Sequence, residues 1–396
     1  MQELEGNTTI GTTEPGPLDN AALPTGVRSR FVPDINGLRI HVLEAGFETG
    51  GRPCVLLLHG FPELAYSWRK VMPLLAAAGF HVVAPDLRGY GRTTGWHANY
   101  DNDSDLESFR LLNAVRDALA LVFALGHRSV AAVVGHDFGS PVAAWCALVR
   151  PDVFRSVALM SAPFAGPPAS PFDIANGAQR TGVSGPDIHE AMAKLARPRK
   201  HYQWYYSTRP ANADMWHCAQ GVHAFLRAYY HHKSADWRRN RPFKLAGWTA
   251  EELAKMPTYY IMDLGETMAE TVAHEMPTAA EIAACRWLPD EELAVYAGEY
   301  QRTGFQGGLQ WYRRGTGELD TAELQLFSGR TIDVPSIFIA GSSDWGIYQR
   351  PGAIERMQES ACTRMQGCHP IDGAGHWVQQ EQPERVSELL VRFLHH

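Results

Sequence analysis

Apolar residues run unbroken through CVLLLHG, residues 54 to 60, and the same kind of run recurs in HVVAPD (81 to 86), SVAAVVGHD (129 to 137), SVALMS (156 to 161) and SIFIAG (336 to 341). Continuous short runs, in place of a strict apolar-polar alternation, predict parallel strands buried on both faces. Ahead of them, INGLRIHVLEAG alternates after a turn-like Asn36-Gly37 pair, which predicts an antiparallel strand pair from about Phe31. Helical periods lie between the runs. Over residues 108 to 125, Leu112, Val115, Leu119 and Val122 mark one face of a helix that ends before Gly126. Strand and helix in alternation predict an α/β fold, an open and mostly parallel sheet flanked by helices.

The alternation stops after Ser161 and resumes near Ile332, leaving about 165 residues that read as helices rich in Tyr and Trp. The expected organisation is a loosely ordered N-terminal arm (1–30), a first core segment (31–163), an inserted helical cap (164–331) and a second core segment (332–396). PFAGPPASP, residues 163 to 171, reads as an irregular entry into the insertion.

Composition narrows the function classes. With 45% hydrophobic residues and 36 Lys plus Arg against 43 Asp plus Glu, the chain is an ordinary globular one whose net charge of −7 gives a phosphate backbone no attraction, so nucleic acid is not an expected partner. The basic runs RPRK (197 to 200) and RRNR (238 to 241) read as solvated helix ends. Cysteines at 54, 146, 218, 285, 362 and 368 show neither C-x-x-C nor framework spacing, which favours a reducing, cytoplasmic setting. The first thirty residues lack a basic start and an apolar run, so neither a signal peptide nor a membrane span is expected there.

The chemistry begins at VVGHDFGS, residues 133 to 140. A buried strand runs into Gly-His-Asp-Phe-Gly-Ser, and a helix follows with Pro141 in its first turn. Small residues at Gly135, Gly139 and Ser140 permit the sharp strand-to-helix turn that lifts a central nucleophile out of the sheet. Here the central residue is Asp137, a carboxylate already ionised at neutral pH, which on attack leaves an ester to be hydrolysed. The turn alone equally suits a helix cap. HGFPE (59 to 63) follows another apolar strand, so the N–H groups of Phe61 and Phe138 are candidates for an oxyanion hole. FIAGSSDW places Asp344 at the end of a strand, and IDGAGHW places His376 after a further turn, with His369 as a competitor for the base. His59 and His136 read as structural hydrogen-bonders, and Asp86 as the residue fixing its own loop. His217, His223, His231 and His232 form no metal-ligand spacing, so no metal is expected.

Together, HGFPE, PDLRGYG (85 to 91), GHDFGS and GAGHW, in this order over about residues 31 to 396, resemble the α/β-hydrolase superfamily and, within it, the soluble epoxide hydrolases with an aspartate nucleophile. The resemblance implies the α/β-hydrolase fold with a helical cap, Asp137 as nucleophile, His376 as general base and Asp344 as its orienting partner. GFQGGLQWYR (304 to 313) and HYQWYYS (201 to 207) are similar to the two cap motifs of that family, implying that Tyr312 and Tyr202 assist ring opening, with Tyr205 and Tyr206 as substitutes. Trp204, Tyr205 and Tyr206 are the expected substrate-binding residues. The implied partners are a small apolar epoxide and water, with no cofactor, in a monomer or homodimer. A dehalogenase with the same triad and a non-catalytic ligand receptor are the alternatives. Against the first, Phe138 has no side-chain N–H with which to hold a halide.

Overall fold

The structure, a computed structural model, describes residues 14–172 and 187–395. Ten strands form in it: β1 (Val27–Ile35), β2 (Leu38–Ala45), β3 (Cys54–Leu58), β4 (His81–Pro85), β5 (Ala132–His136), β6 (Val157–Met160), β7 (Arg199–His201), β8 (Ile261–Asp263), β9 (Ser336–Gly341) and β10 (Met365–Ile371). Eight make one sheet in the order β1-β2-β4-β3-β5-β6-β9-β10. The β1–β2 and β2–β4 pairs are antiparallel, and every other pair in this sheet is parallel. The five apolar runs are β3, β4, β5, β6 and β9, buried throughout except for half-buried His81. β10 escapes sequence reading because it is the sheet edge, mostly half-buried and without an apolar run.

The hairpin predicted at Asn36-Gly37 joins β1 to β2, with φ of 51° and 80° at those two residues, the left-handed pair a tight hairpin turn requires. β1 starts earlier than Phe31 because it is held by charge, not apolar pattern: Arg30 Nη2 donates to Glu44 Oε1 across the strand pair at 2.7 Å. The segment before it is docked as well. Leu18 N–H donates to Ser29 Oγ (2.8 Å), and Arg92 donates to the carbonyls of Gly16 (2.7 Å) and Pro17 (3.1 Å). The expectation of a loose arm is therefore corrected for residues 14–30, while residues 1–13 lie outside the described ones.

The helix expected at 108–125 spans Leu111–Ala124, and its buried face is Leu111, Ala114, Val115, Ala118, Leu121 and Val122 with one buried carboxylate, Asp117. Leu112 and Leu119 are only half-buried. The small Ala114 and Ala118 form the middle of the buried stripe, which an apolar count centred on leucine misplaces.

The chain leaves the sheet after β6 and re-enters it at β9. The described residues between are mostly helical, with one addition, the antiparallel ribbon β7–β8. RPRK leads into this ribbon, and Arg199 is buried, donating to Ile261 O at 3.0 Å, so this run is not a solvated helix end. Strands of three residues carry too little pattern to be read from sequence.

The strand order sets up the site. From β3 the chain crosses to β4 on one side, then returns to β5 on the other, so the loops leaving β3 and β5 part over a crevice at the strands' carboxyl ends. Leu58 and Gly135 are register partners there, which brings HGFPE against GHDFGS.

Candidate active site

Asp137 follows β5 with φ of 51°, a left-handed conformation uncommon for a residue with a Cβ. The turn is as tight as the small residues suggest. A Cβ on Gly60 would sit 2.3 Å from the Asp137 Cβ, and one on Gly139 would sit 2.2 Å from Leu58 O. The helix Gly139–Val149 has no side-chain cap at its start. Asp137 Oδ1 instead accepts the Phe61 N–H at 2.9 Å, so the helix-cap alternative falls and the carboxylate is aimed at the crevice.

His376 faces it, with Nε2 3.4 Å from Asp137 Oδ2, while Nδ1 stands 3.1 and 3.2 Å from the two oxygens of Asp344. His376 and Asp344 side chains are 2% and 1% exposed, against 15% for Asp137. Asp344 lies in the turn after β9 and is itself fixed by the Gly346 N–H at 2.7 Å. The His376 loop follows β10, and its backbone N–H donates to Lys233 O at 2.9 Å. Glu381 clasps the same loop by accepting from the N–H groups of Gly375 (2.9 Å), Trp377 (3.0 Å) and Ala235 (2.8 Å). His369 lies within edge strand β10, opposite Ile339, and does not reach this cluster.

Burial by itself would raise the Asp137 pKa. The hydrogen bond from His376, and the electrostatic pull of His376, Lys233 and His136, more than offset it and hold the carboxyl well below the usual range. Asp344 is lowered in the same way, burial being outweighed by the electrostatic pull and hydrogen bond of His376 and by the Gly346 N–H. Both carboxylates are ionised.

Tyr312, in the helix Gln306–Thr316, lies over the neighbours of Asp137, its ring 4.6 Å from Phe138 and 5.4 Å from Phe61. Tyr202 opens the helix Tyr202–Tyr206, and its ring is 5.7 Å from that of Tyr312. The Tyr312 hydroxyl has no hydrogen-bond partner among the described residues, whereas Tyr202 donates to Gln349 Oε1 at 3.1 Å and accepts from Gln203 Nε2 at 3.3 Å. Burial first, then neighbouring phenols and the charge of Asp137, push both hydroxyls well above the usual phenol range, so both hold their protons. Tyr206, one helical turn after Tyr202, shares its face and stands 4.8 Å from Tyr312. Trp204 and Tyr205 do not reach the site, which corrects the expectation for them. Trp204 packs on His189 (4.3 Å) and His201 (4.8 Å), and the Tyr205 hydroxyl donates to Asp214 (2.8 Å). The helical period turns these two positions away from the face that Tyr202 and Tyr206 share.

A family model described as the alpha/beta hydrolase fold matches residues 53–188. Epoxide hydrolase A of Mycobacterium tuberculosis is 32% identical over 385 residues, covering 93% of this chain and 98% of its own length. This chain belongs to the epoxide hydrolase family. Another member, the epoxide hydrolase of Caballeronia sordidicola, is 30% identical over 91% of each chain. The solved epoxide hydrolase from an endophytic Streptomyces superposes with a TM-score of 0.69 at 31% identity, over 94% of this chain and 96% of that one. Epoxide hydrolase A from Mycobacterium thermoresistibile gives 0.70 at 29%, over 93% and 98%.

In this epoxide hydrolase family member, sequence reading missed a buried polar layer beneath the cluster of Asp137, His376 and Asp344. His136 Nδ1 is 2.5 Å from Glu63 Oε2, and its Nε2 is 2.7 Å from His376 O. Glu63 also accepts from Gln379 (2.7 Å), Gln380 (3.2 Å) and the Gly60 N–H (3.2 Å). His59 accepts the Leu87 N–H at 3.0 Å, and Asp86 accepts the N–H groups of Ala65 (2.8 Å) and Arg92 (2.9 Å), so both have the structural parts expected of them. Only the HGFPE motif signalled Glu63. One group with metal-ligand geometry occurs among the described residues, Cys54, His81 and His127, whose ligand atoms lie within 4.8 Å of one another. Cys54 and His81 begin β3 and β4, at the opposite end of the sheet from Asp137, so the group is no part of this site. No described helix is long and apolar enough to cross a membrane.

Proposed function

We propose that the chain hydrolyses an apolar epoxide to a vicinal diol through a covalent ester on Asp137. The observation that carries this reading is an ionised carboxylate at the nucleophile elbow, fixed by the Phe61 N–H and faced by His376, beneath the unpartnered hydroxyl of Tyr312. An Asp137 oxygen attacks one ring carbon, the carbon–oxygen bond opens away from it, and the electron pair goes to the ring oxygen, which takes a proton from Tyr312 with Tyr202 as second donor. His376, oriented by Asp344, then removes a proton from water. The hydroxide attacks the ester carbonyl, the oxyanion rests on the N–H groups of Phe61 and Phe138, and collapse breaks the ester bond to the alkyl oxygen, which takes the remaining hydroxyl proton of the intermediate as the carboxylate is restored; the proton on His376 returns through water to the Tyr312 phenolate, and the diol leaves. Each step uses groups of this chain, side-chain and backbone, and water alone.

Residues 164–331 act as the cap that brings the phenols over the nucleophile, and Tyr206 lines the wall between them. The six cysteines are all free, which supports a cytoplasmic setting. Phenol donors, with Phe138 beside the nucleophile, favour a departing alkoxide over a departing halide.

The direct test is a single turnover in heavy-oxygen water. The label is expected in the Asp137 carboxylate, because the diol takes its new oxygen from the protein. Label found first in the diol would replace the ester mechanism with direct attack by water. A second expected result concerns the acid. Tyr312→Phe removes one hydroxyl at nearly constant shape, and general-acid help is worth roughly 10²- to 10⁴-fold, so stopped-flow alkylation should slow by that order. Hydrolysis of the ester should keep its rate. Unaltered alkylation would transfer the role to Tyr202, whose hydroxyl would first have to leave Gln349.

A further inference from the structure

Cys54, His81 and His127 meet at the amino-terminal end of the parallel strands, away from the crevice that holds Asp137. Cys54 opens β3 and His81 opens β4, and the two are register partners in a parallel pair, so their side chains stand side by side on one face of the sheet. His127 arrives from the loop before β5, directly after Gly126, whose φ of 83° turns the chain out of the helix Leu111–Ala124. Cys54 is a free thiol and 1% exposed, whereas His81 and His127 are half-buried, so the imidazoles form the solvent side of the group. Register and a loop from another helix bring the three together, which is why their spacing along the chain carries no metal motif.

His81 Nδ1 lies 2.8 Å from His127 Nε2. A hydrogen bond between neutral imidazoles joins one N–H to one lone pair, and the other tautomer of the donor ring would turn a second lone pair to the same spot. The opposite nitrogen of His81, Nε2, is buried without a hydrogen-bond partner among the described residues and stands 3.5 Å from Glu44 Oε1. A carboxylate on that side is what commonly orients a metal-bound imidazole through its other N–H. Arg28 and Arg30 hold the Glu44 carboxylate in place. The sulfur and the two imidazoles offer donor atoms that all lie within 4.8 Å of one another. Around a tetrahedral Zn²⁺, with bonds of about 2.3 Å to sulfur and 2.0–2.1 Å to nitrogen, donors stand roughly 3.3–3.6 Å apart. The two imidazole nitrogens need part by only about half an ångström to reach that spacing, and the loop carrying His127 is the element that can give.

We propose that Cys54, His81 and His127 bind one Zn²⁺, with water in the fourth position. Thiolate and imidazole donors select zinc over magnesium and calcium, which take oxygen ligands. On binding, the Cys54 thiol gives its proton to water, and the hydrogen between the imidazoles moves to the far nitrogen of its own ring, so one proton is released per ion. The ion ties the starts of β3 and β4 to the loop before β5. It takes no part in the chemistry at Asp137, which follows the carboxyl end of β5.

The test titrates the full chain, reduced and stripped with a chelator, with Co²⁺ as the spectroscopic substitute for Zn²⁺. One equivalent should bind, giving a thiolate-to-cobalt charge-transfer band in the near ultraviolet and the intense visible bands of tetrahedral cobalt, and one equivalent of Zn²⁺ should bleach both. Cys54→Ser should lose the charge-transfer band. His127→Ala, in a half-buried loop, should weaken Zn²⁺ binding by more than the roughly 10- to 100-fold that removing an outer partner of a ligand costs, and should abolish the rise in Tm that Zn²⁺ gives the wild type. Cys368→Ser, in edge strand β10, should behave as wild type. A wild-type spectrum without the charge-transfer band, or with the weak bands of octahedral cobalt, overturns the proposal whether or not any variant folds. So does a band that survives in Cys54→Ser shown by circular dichroism to be folded, or one that disappears in Cys368→Ser instead. Binding of several ions that each histidine or cysteine variant reduces only slightly would mean adventitious surface coordination, and would overturn it as well.

Discussion

His376→Gln should open the epoxide once per active site and then stall. The Phe61 N–H, Lys233 and His136 still favour an ionised Asp137 in this variant, and the phenols of Tyr312 and Tyr202 are untouched, so alkylation retains its nucleophile and its acid. What disappears is the group that takes a proton from water. Loss of a positioned general base costs roughly 10²- to 10⁴-fold, so the hydroxyalkyl ester should accumulate as a protein mass raised by the whole epoxide, mapping to the peptide that contains Asp137. Asp137→Asn should show no adduct, because a neutral amide is a far poorer nucleophile. Mass spectrometry of protein quenched after mixing with excess epoxide reads both variants. Repeated turnover by folded His376→Gln at near wild-type rate, with no adduct, would remove His376 from the role of base. His369 could not inherit it from its place in the edge strand without a rearrangement of β10.

The cluster of Asp137, His376 and Asp344 was legible because each of its members is announced locally. Asp137, Asp344 and His376 each follow a strand of the central sheet, and each stands in a short turn whose glycines and polar residues break the apolar pattern. The strand order then needs only the usual crossover of an α/β sheet to bring these turns together. The groups packed around this cluster have no such announcement. Glu63 and His136 meet across β3 and β5, and Gln349 reaches Tyr202 from the far side of the insertion. Lys233 is surrounded by rings from positions 229, 259, 260 and 377, so its burial is a property of packing between distant segments; within the sequence it is the basic end of a helix, a place where solvated lysines are common. The error over Trp204 and Tyr205 has a different origin. A helix of five residues is too short for its buried face to be read from periodicity, so neighbouring aromatic residues in HYQWYYS looked equivalent when the fold divides them between two sides.

Glu63→Ala should be the most destabilising single change in the site, by about 3–5 kcal/mol, because it removes one partner of a wholly buried charge pair. The protonation state of the other partner follows from its neighbours. Both ring nitrogens of His136 face acceptors, Glu63 Oε2 and the His376 carbonyl, so both must carry hydrogen and the ring is an imidazolium. Burial by itself would lower the His136 pKa, but the charge and hydrogen bond of Glu63 raise it above the ordinary value. Burial likewise works to raise Glu63, and His136 brings it below the ordinary carboxylate value. A depressed carboxylate contributes its stability above the unfolded pKa, about 4.3, and loses it as pH falls through the lower folded value. A raised histidine contributes fully below about 6.5 and loses its share as pH rises through the higher folded value. The unfolding free-energy gap between wild type and Glu63→Ala, measured by urea denaturation across pH, should therefore be widest between about pH 4.5 and 6.5 and narrow on both sides. A gap that kept growing into the alkaline range would mean that His136 is neutral in the folded protein and that Glu63 serves it only as a hydrogen-bond acceptor. The catalytic consequence runs through the backbone: the imidazolium donates to the His376 carbonyl, so losing its counter-charge loosens the loop that sets the 3.4 Å separation between His376 Nε2 and Asp137.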